Sequence, residues 1–217
     1  MSAKVAALYV ETGGVYYGLP DVDPWDEARD ARLYAGPWPI VAHPPCARWS
    51  RLAGFTEARF GYKRGEDGGC FAAALESVRA FGGVIEHPAY SKAWDRYGLP
   101  EPLTHHGWTG GLCGGFSAYV EQGRYGLPVK KATWLYAYGV ELPDLCWGYT
   151  PDRDGERPNG PWGGIDGWRD SWASRSDIRA GVMSFKSSGH RGPYKGLTAI
   201  TPPAFRDVLL AMACSAA

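Results

Sequence analysis

Short apolar runs alternate with turn-rich stretches along the first half of the chain. AALYVE (6–11), PIVAH (39–43) and GVIEH (83–87) have the length and composition of buried strands. Between the last two, EDGGCFAAALESVRAF (66–81) carries apolar residues at helical spacing and stops at a pair of glycines, which predicts a helix. Strand, helix and strand in this order predict a βαβ unit with parallel strands, whose carboxyl ends are the usual place for a ligand.

The remaining apolar patterns complete one sheet and its helices. VYYGL follows a glycine turn and predicts a hairpin with the first strand, and DPWDEARDARLY (23–34) predicts a short helix. FSAYVEQ (116–122) and KATWLYAYGV (131–140) predict two further strands, and TPPAFRDVLLAMA (201–213) predicts an amphipathic C-terminal helix. The pattern therefore predicts the α/β class.

The 217 residues suit one domain. From residue 146 to 196 the chain becomes rich in Gly, Trp and Arg and loses its periodicity. We therefore expect a catalytic α/β core at 1–145, an irregular recognition region or insert at 146–196, and a C-terminal helix at 197–217 that returns to the core.

Charge and cysteine content exclude several classes of protein. The formal net charge is zero, so any contact with nucleic acid needs a local basic patch. Five cysteines without short paired spacings argue against a disulfide framework and against a zinc site, and we expect no metal. The first residues lack the apolar core of a signal peptide, and no run is long enough to span a bilayer. We expect a soluble cytoplasmic protein without a membrane partner.

Two reactive side chains follow the predicted strands of the βαβ unit. Cys46 comes directly after Pro44 and Pro45, which stiffen the end of one strand, and Glu86 ends the next strand. A thiol and a carboxyl at neighbouring strand ends suit addition to an electron-poor ring, because the carboxyl can steady the ring nitrogen that gains electron density. The competing interpretation is a structural cysteine on a strand-terminating turn.

Four segments, in order, resemble motifs of the C5-cytosine DNA methyltransferases, particularly the compact phage-encoded kind. They are AHPPCARWS (42–50), VIEHP (84–88), YVEQGRYGLPVKKATWLYAYG (119–139) and AITPPAFRDVLLAM (199–212). The resemblance implies a Rossmann-like, methyltransferase-type sheet, trimmed in its N-terminal half. It also implies that Cys46 attacks C6 of the target pyrimidine while Glu86 contacts N3.

Further site residues follow from these motifs and from composition. We expect substrate contacts from Pro44, Pro45, Ser50, His87, Lys130 and Lys131, and phosphate contacts from Lys186 and Arg191 in a basic stretch with small residues. The resemblance implies S-adenosylmethionine as cofactor, held by Glu11, Gly13, Gly14, Asp23 and Thr201. The family's glycine loop opens a helix, however, and ETGGVYYGLP has no helical stretch after it.

The sequence therefore predicts a methyltransferase-like enzyme, in a phage host or bacterial cytoplasm, that modifies a pyrimidine at C5. Cytosine in DNA is the expected substrate, and its base would have to flip out of the duplex. A catalytic Cys46 should have a lowered pKa. The alternatives are a non-catalytic DNA- or protein-binding derivative of such an enzyme, and an enzyme that acts on free pyrimidine nucleotides.

Overall fold

The computed structural model describes residues 4–50, 57–58, 61, 63–112, 114–128, 130–150 and 200–216. Its strands are β1 (Val5–Leu8), β2 (Val22–Trp25), β3 (Ile40–Ala42), β4 (Gly83–Pro88), β5 (Trp108–Gly110), β6 (Phe116–Glu121) and β7 (Ala132–Tyr138). Its α-helices are α1 (Cys70–Phe81), α2 (Lys92–Tyr97) and α3 (Pro203–Cys214). Most of the predicted insert, with Lys186 and Arg191, lies outside the described residues.

The seven strands form one mixed sheet in the order β2-β1-β3-β4-β7-β6-β5. The first four strands run parallel, whereas β7 is antiparallel to β4 and the last three strands alternate in direction. This arrangement confirms an α/β protein and the predicted βαβ unit. Leu8 aligns with Ala42, and Ala42 aligns with Ile85, so the residues that follow β1, β3 and β4 meet at one edge of the sheet.

Helices cover both faces of the sheet. On one face, Phe71 and Val78 of α1 and Trp94 of α2 are completely buried in a cluster with Ile40 and Ile85. The other face carries α3, whose Phe205, Leu209 and Met212 are buried against Val41 and Val84. Burial of each such large apolar side chain contributes about 1.5–3 kcal/mol to the free energy of unfolding. Because side chains alternate between the two faces along β3 and β4, these strands pack against helices on both sides.

The predicted hairpin at the start of the chain is wrong. Residues 11–21 form a series of turns, and the chain re-enters the sheet as β2, which lies parallel to β1. The run VYYGL does not extend because the hydroxyls of Tyr16 and Tyr17 reach inward to His43 and Asp26.

The helix predicted for 23–34 is also wrong. Its first residues belong to β2, and the rest form two 3₁₀ turns, Glu27–Arg29 and Ala31–Leu33. Asp26 caps the first turn, and Asp30 has a φ of 49° between the two, which interrupts any continuous helix. The sequence prediction missed both α2 and β5. No helix among the described residues is long and apolar enough to cross a membrane.

Candidate functional site

Cys46 lies on the turn that follows β3. Pro44 is buried, whereas Pro45 and Cys46 are exposed. The Trp49 amide donates a hydrogen bond to the Cys46 carbonyl (3.0 Å), and the buried Trp49 indole donates to the Asp67 carboxylate (2.8 Å). Because Trp49 is buried and bonded to Cys46, this turn holds the cysteine at the carboxyl edge of the parallel strands, as the sequence predicts.

The surroundings of Cys46 raise the pKa of its thiol. Loss of hydration within the turn raises its pKa, and the negative charge of Glu86 raises it further, while Lys131 acts in the opposite direction. The expectation of a lowered pKa is therefore wrong. The thiol therefore keeps its proton at neutral pH. The effect of the Glu86 charge on the thiol pKa shows that the two groups lie near each other.

Glu86 is buried, and both of its carboxylate oxygens have hydrogen-bond partners. Oε2 lies 2.9 Å from His43 Nδ1, and Oε1 accepts a bond from Gln122 Nε2 at 2.8 Å. The Lys131 ammonium lies 3.6 Å from Oε1. Burial alone would raise the pKa of Glu86, but Lys131 and the His43 contact hold it well below its usual value. The carboxylate is thus ionised at neutral pH.

His43 links Glu86 to a buried tyrosine. The Tyr16 hydroxyl lies 2.8 Å from His43 Nε2. Because an ionised Glu86 can only accept, His43 donates from Nδ1 to the carboxylate, and its Nε2 pairs with the tyrosine hydroxyl, which can both donate and accept. Burial and the Glu86 charge raise the Tyr16 pKa well above its ordinary value, so that hydroxyl stays protonated.

Sequence reasoning missed Tyr16, His43 and Gln122 as members of this cluster. His43 precedes the two prolines, and Gln122 follows β6, so position at a strand end was the available signal. Their pairing depends on which strands are neighbours, and that order is not visible in local patterns.

The two predicted substrate lysines form internal ion pairs. Lys131 approaches Glu86, and Lys130 lies 3.2 Å from Oε1 of the buried Glu121. Glu121 also accepts a bond from the Tyr119 hydroxyl at 2.6 Å. Both lysines thus offset the negative charge of buried carboxylates.

His87 lies on the opposite face of the sheet from Glu86. Its ring packs between Phe71 and Trp94, with centroid distances of 5.3 and 6.2 Å. No described atom meets either ring nitrogen in hydrogen-bonding geometry, although the Pro45 carbonyl is near enough to favour the charged form. Burial lowers the His87 pKa to about 4, so the ring is neutral at physiological pH. His87 thus lies beneath the Cys46 turn, buried on the face of the sheet that Glu86 does not share. The predicted contact Ser50 is partly buried, and its hydroxyl has no described partner.

The predicted cofactor residues lie on three segments: the turn after β1, the strand β2 and the segment before α3. Glu11 and Gly13 are exposed, and the Gly14 amide closes a turn onto the Glu11 carbonyl (2.9 Å). Thr201 is buried in the segment that leads into α3.

Both acids near the end of β2 are already hydrogen-bonded. Asp23 accepts from the Trp25 indole (2.8 Å) and from the Arg29 guanidinium (2.6 Å). Asp26, which the sequence prediction missed, accepts from Thr12 (2.7 Å) and Tyr17 (2.6 Å) and also caps the following 3₁₀ turn.

Within the described residues, no group of three His, Cys, Asp or Glu side chains is arranged to hold a metal ion. Comparison with protein-family models, with curated proteins and with solved structures finds no match.

Proposed function

We propose that this protein activates a pyrimidine base, cytosine in DNA, for covalent modification at C5. The observation that carries the proposal is the placement of Cys46 on the turn after β3 and of Glu86 near the end of the neighbouring parallel strand β4, close enough for the carboxylate to raise the pKa of the thiol. A nucleophile and a hydrogen-bonding carboxylate at one sheet edge are the pair that addition to C6 requires.

The sheet itself supports a finer identity, a trimmed methyltransferase-type Rossmann fold. The strand order reverses between β1 and β3, which creates a switch point at the carboxyl ends. An antiparallel strand, β7, follows β4 in the sheet. The cysteine and the glutamate both lie at the carboxyl edge that ligands use in this architecture.

The first chemical step moves one proton from the Cys46 thiol to N3 of the base and leaves Glu86 ionised. The Cys46 sulfur bonds to C6, the electrons of the C5–C6 double bond shift toward N3, and N3 gains a proton while the thiol loses one. C5 is then electron-rich and attacks the carbon of an alkylating electrophile, whose leaving group departs with the bonding electrons. Solvent water takes the C5 proton, the sulfur–C6 bond breaks, and N3 releases its proton as the thiolate regains one, which restores the aromatic ring and the thiol.

Glu86 has a separate role in this scheme. Its ionised carboxylate accepts hydrogen bonds from the exocyclic amine and the protonated N3 of the adduct. His43, Gln122 and Lys131 are positioning residues, because their contacts hold the carboxylate ionised and in one orientation. Since the ring edge is hidden in a duplex, the target base must leave the stack to reach the two groups.

The residues near β1 and β2 do not fit S-adenosylmethionine in this arrangement. A ribose diol needs a carboxylate with free acceptor positions, and Asp26 has none left, because its oxygens accept from two hydroxyls and from two backbone amides of the following 3₁₀ turn. The predicted Asp23 is paired with the Arg29 guanidinium. Tyr16 is buried against His43 between the ends of β1 and β3, in the crevice where an open α/β sheet binds its ligand. No step of the mechanism is assigned to that cofactor.

A non-catalytic binding protein is the second candidate. The raised pKa of Cys46 and the fully hydrogen-bonded Glu86 favour it, because a binder needs neither a thiolate nor an available carboxylate.

Nucleoside mass spectrometry separates these candidates. DNA is taken from cells that express the wild type and from cells that express Cys46→Ala at equal levels. A modified pyrimidine that appears only with the wild type supports the proposal, and its mass increment identifies the transferred group. Equal amounts with both proteins, or no modified pyrimidine with either, would favour the binding protein.

A further inference from the structure

A basic cleft lies beside the turn that carries Cys46. Arg64, Lys92, Asp95 and Arg96 line it, and its volume is about 400 Å³. All four side chains are exposed, and the three cations exceed the single carboxylate. In a chain of zero net charge this is a local positive excess.

Backbone hydrogen bonds tie both walls of the basic cleft to the Cys46 turn. The Lys92 amide donates to the Trp49 carbonyl (2.8 Å), and the Gly65 amide donates to the Arg48 carbonyl (3.0 Å). Since Trp49 in turn donates to the Cys46 carbonyl, both walls of the basic cleft are bonded to the turn that carries the thiol.

These three cations differ from the other basic residues near the site. Lys130 and Lys131 neutralise buried carboxylates, and Arg29 and Arg32 pair with neighbouring aspartates. Among the described residues, no carboxylate lies within ion-pair distance of Arg64, Lys92 or Arg96. Their charge is available to a ligand.

We propose that the basic cleft binds the phosphate backbone of DNA next to the nucleotide that Cys46 attacks. Two guanidinium groups match phosphate oxygens in bidentate geometry, and the ammonium adds a third contact. Cations on two separate chain segments suit an extended polyanion better than a single small anion. The proposal rests on the proposed function for the choice of DNA, and it assigns phosphate contacts to residues that sequence reasoning did not select.

The test is fluorescence anisotropy of a labelled 20-base-pair duplex with the full chain over a range of salt concentrations. Arg64→Gln, Lys92→Gln and Arg96→Gln are each expected to weaken binding roughly three- to tenfold and to reduce the log–log salt slope by about 0.9. The triple variant should lose most of the salt dependence. Lys4→Gln is the matched control, because Lys4 is also an exposed lysine but precedes β1 at the opposite edge of the sheet, and it should bind like the wild type.

Three outcomes would overturn the proposal: no duplex binding by the wild type, wild-type affinity in the triple variant, or an equal loss in Lys4→Gln. Tighter binding of RNA of the same sequence would overturn the choice of DNA. The anisotropy experiment measures binding alone, so it is independent of the C5 chemistry. If the proposed chemistry fails, Cys46→Ala and the wild type will show equal amounts of modified DNA, and the salt dependence of binding will still test the basic cleft.

Discussion

The low pKa of Glu86 depends on Lys131 first and on His43, the residue before the Pro-Pro-Cys turn, second. His43 contacts Oε2 of Glu86 and is itself held by Tyr16. If His43 only filled space, its loss would lower activity equally at every pH. If it holds the carboxylate ionised, its loss changes the pH dependence.

We predict that His43→Ala raises the pKa of Glu86 and moves the acid limb of the activity profile upward. The structure lowers that pKa partly through His43, and a hydrogen bond to a charged group is worth about 1.5–3 kcal/mol, which corresponds to a shift of roughly one to two pH units. The measurement is the rate of C5 hydrogen exchange in cytosine from pH 2 to 6, the range in which a carboxyl whose pKa lies well below its usual value titrates. Tyr16→Phe, which keeps His43, should move the limb less. A uniformly slower enzyme with an unmoved limb would contradict the role given to His43.

His87 makes the fold sensitive to mild acid. Its pKa is about 4 in the folded protein, mainly because of burial, and about 6.5 in an unfolded chain. The unfolded state therefore binds the proton more readily, and stability falls as pH drops from about 6.5 toward 4. The loss due to this group reaches about 2 kcal/mol at pH 5.

His87→Asn should be less stable at pH 7 but should lose less stability between pH 7 and pH 5 than the wild type does. Urea unfolding at both pH values measures the difference. An unchanged pH dependence in the variant would show that another group is responsible.

At the scale of elements, the start of β4 depends on a glycine. Gly83 has a φ of 140°, and a Cβ at this position would lie 2.1 Å from the Ile40 carbonyl oxygen of β3. No side-chain rotation relieves a clash with backbone, so a larger residue would separate the two strands that carry Cys46 and Glu86.

Gly83→Ala is predicted to destabilise the protein by at least about 2 kcal/mol. Gly13→Ala is the matched control, because Gly13 also has a positive φ (70°) but nothing lies within 4 Å of its added Cβ. It should cost only about 1 kcal/mol. Equal losses in chemical denaturation would contradict the close approach of β3 and β4.

Local patterns predicted the elements whose apolar spacing decides their structure. These are β3, α1, β4, β6, β7 and α3, and with them the positions of Cys46 and Glu86. The first strand pair was misassigned because a strand followed by glycines is compatible with either a hairpin or a parallel return. The burial of Tyr16, which depends on tertiary packing, favours the parallel return over the hairpin. Likewise, Gln122 meets Glu86 only because β7 lies between β4 and β6.

At the scale of the whole molecule, the carboxyl edge of the sheet contains a thiol, an ionised carboxylate and an adjacent basic cleft. The N-terminal part of the same edge is closed by internal hydrogen bonds of Tyr16, Tyr17 and Thr12. The edge is therefore divided into a half at β3 and β4, where an exposed Cys46 lies near a buried Glu86, and a half at β1 and β2 that is filled by side chains.

This division predicts that S-adenosylmethionine does not stabilise the free protein. A ligand present at 100 times its Kd would add about 2.7 kcal/mol, which raises Tm by several degrees. We expect a Tm change of less than about 1 °C at millimolar S-adenosylmethionine in differential scanning fluorimetry. A shift of several degrees would contradict the closed arrangement of Asp23 and Asp26.

The central claim is that Cys46 adds to C6 and makes C5 of cytosine reactive, whatever group is transferred afterwards. Hydrogen exchange at C5 tests this most directly. A cytosine-containing oligonucleotide is incubated with the protein in D₂O and analysed as nucleosides by mass spectrometry. The wild type should add one mass unit to deoxycytidine, and Cys214→Ala, which removes another exposed cysteine in the last turn of α3, should do the same. Cys46→Ala should add none. Exchange that persists in Cys46→Ala, or that is absent in the wild type, would contradict the account.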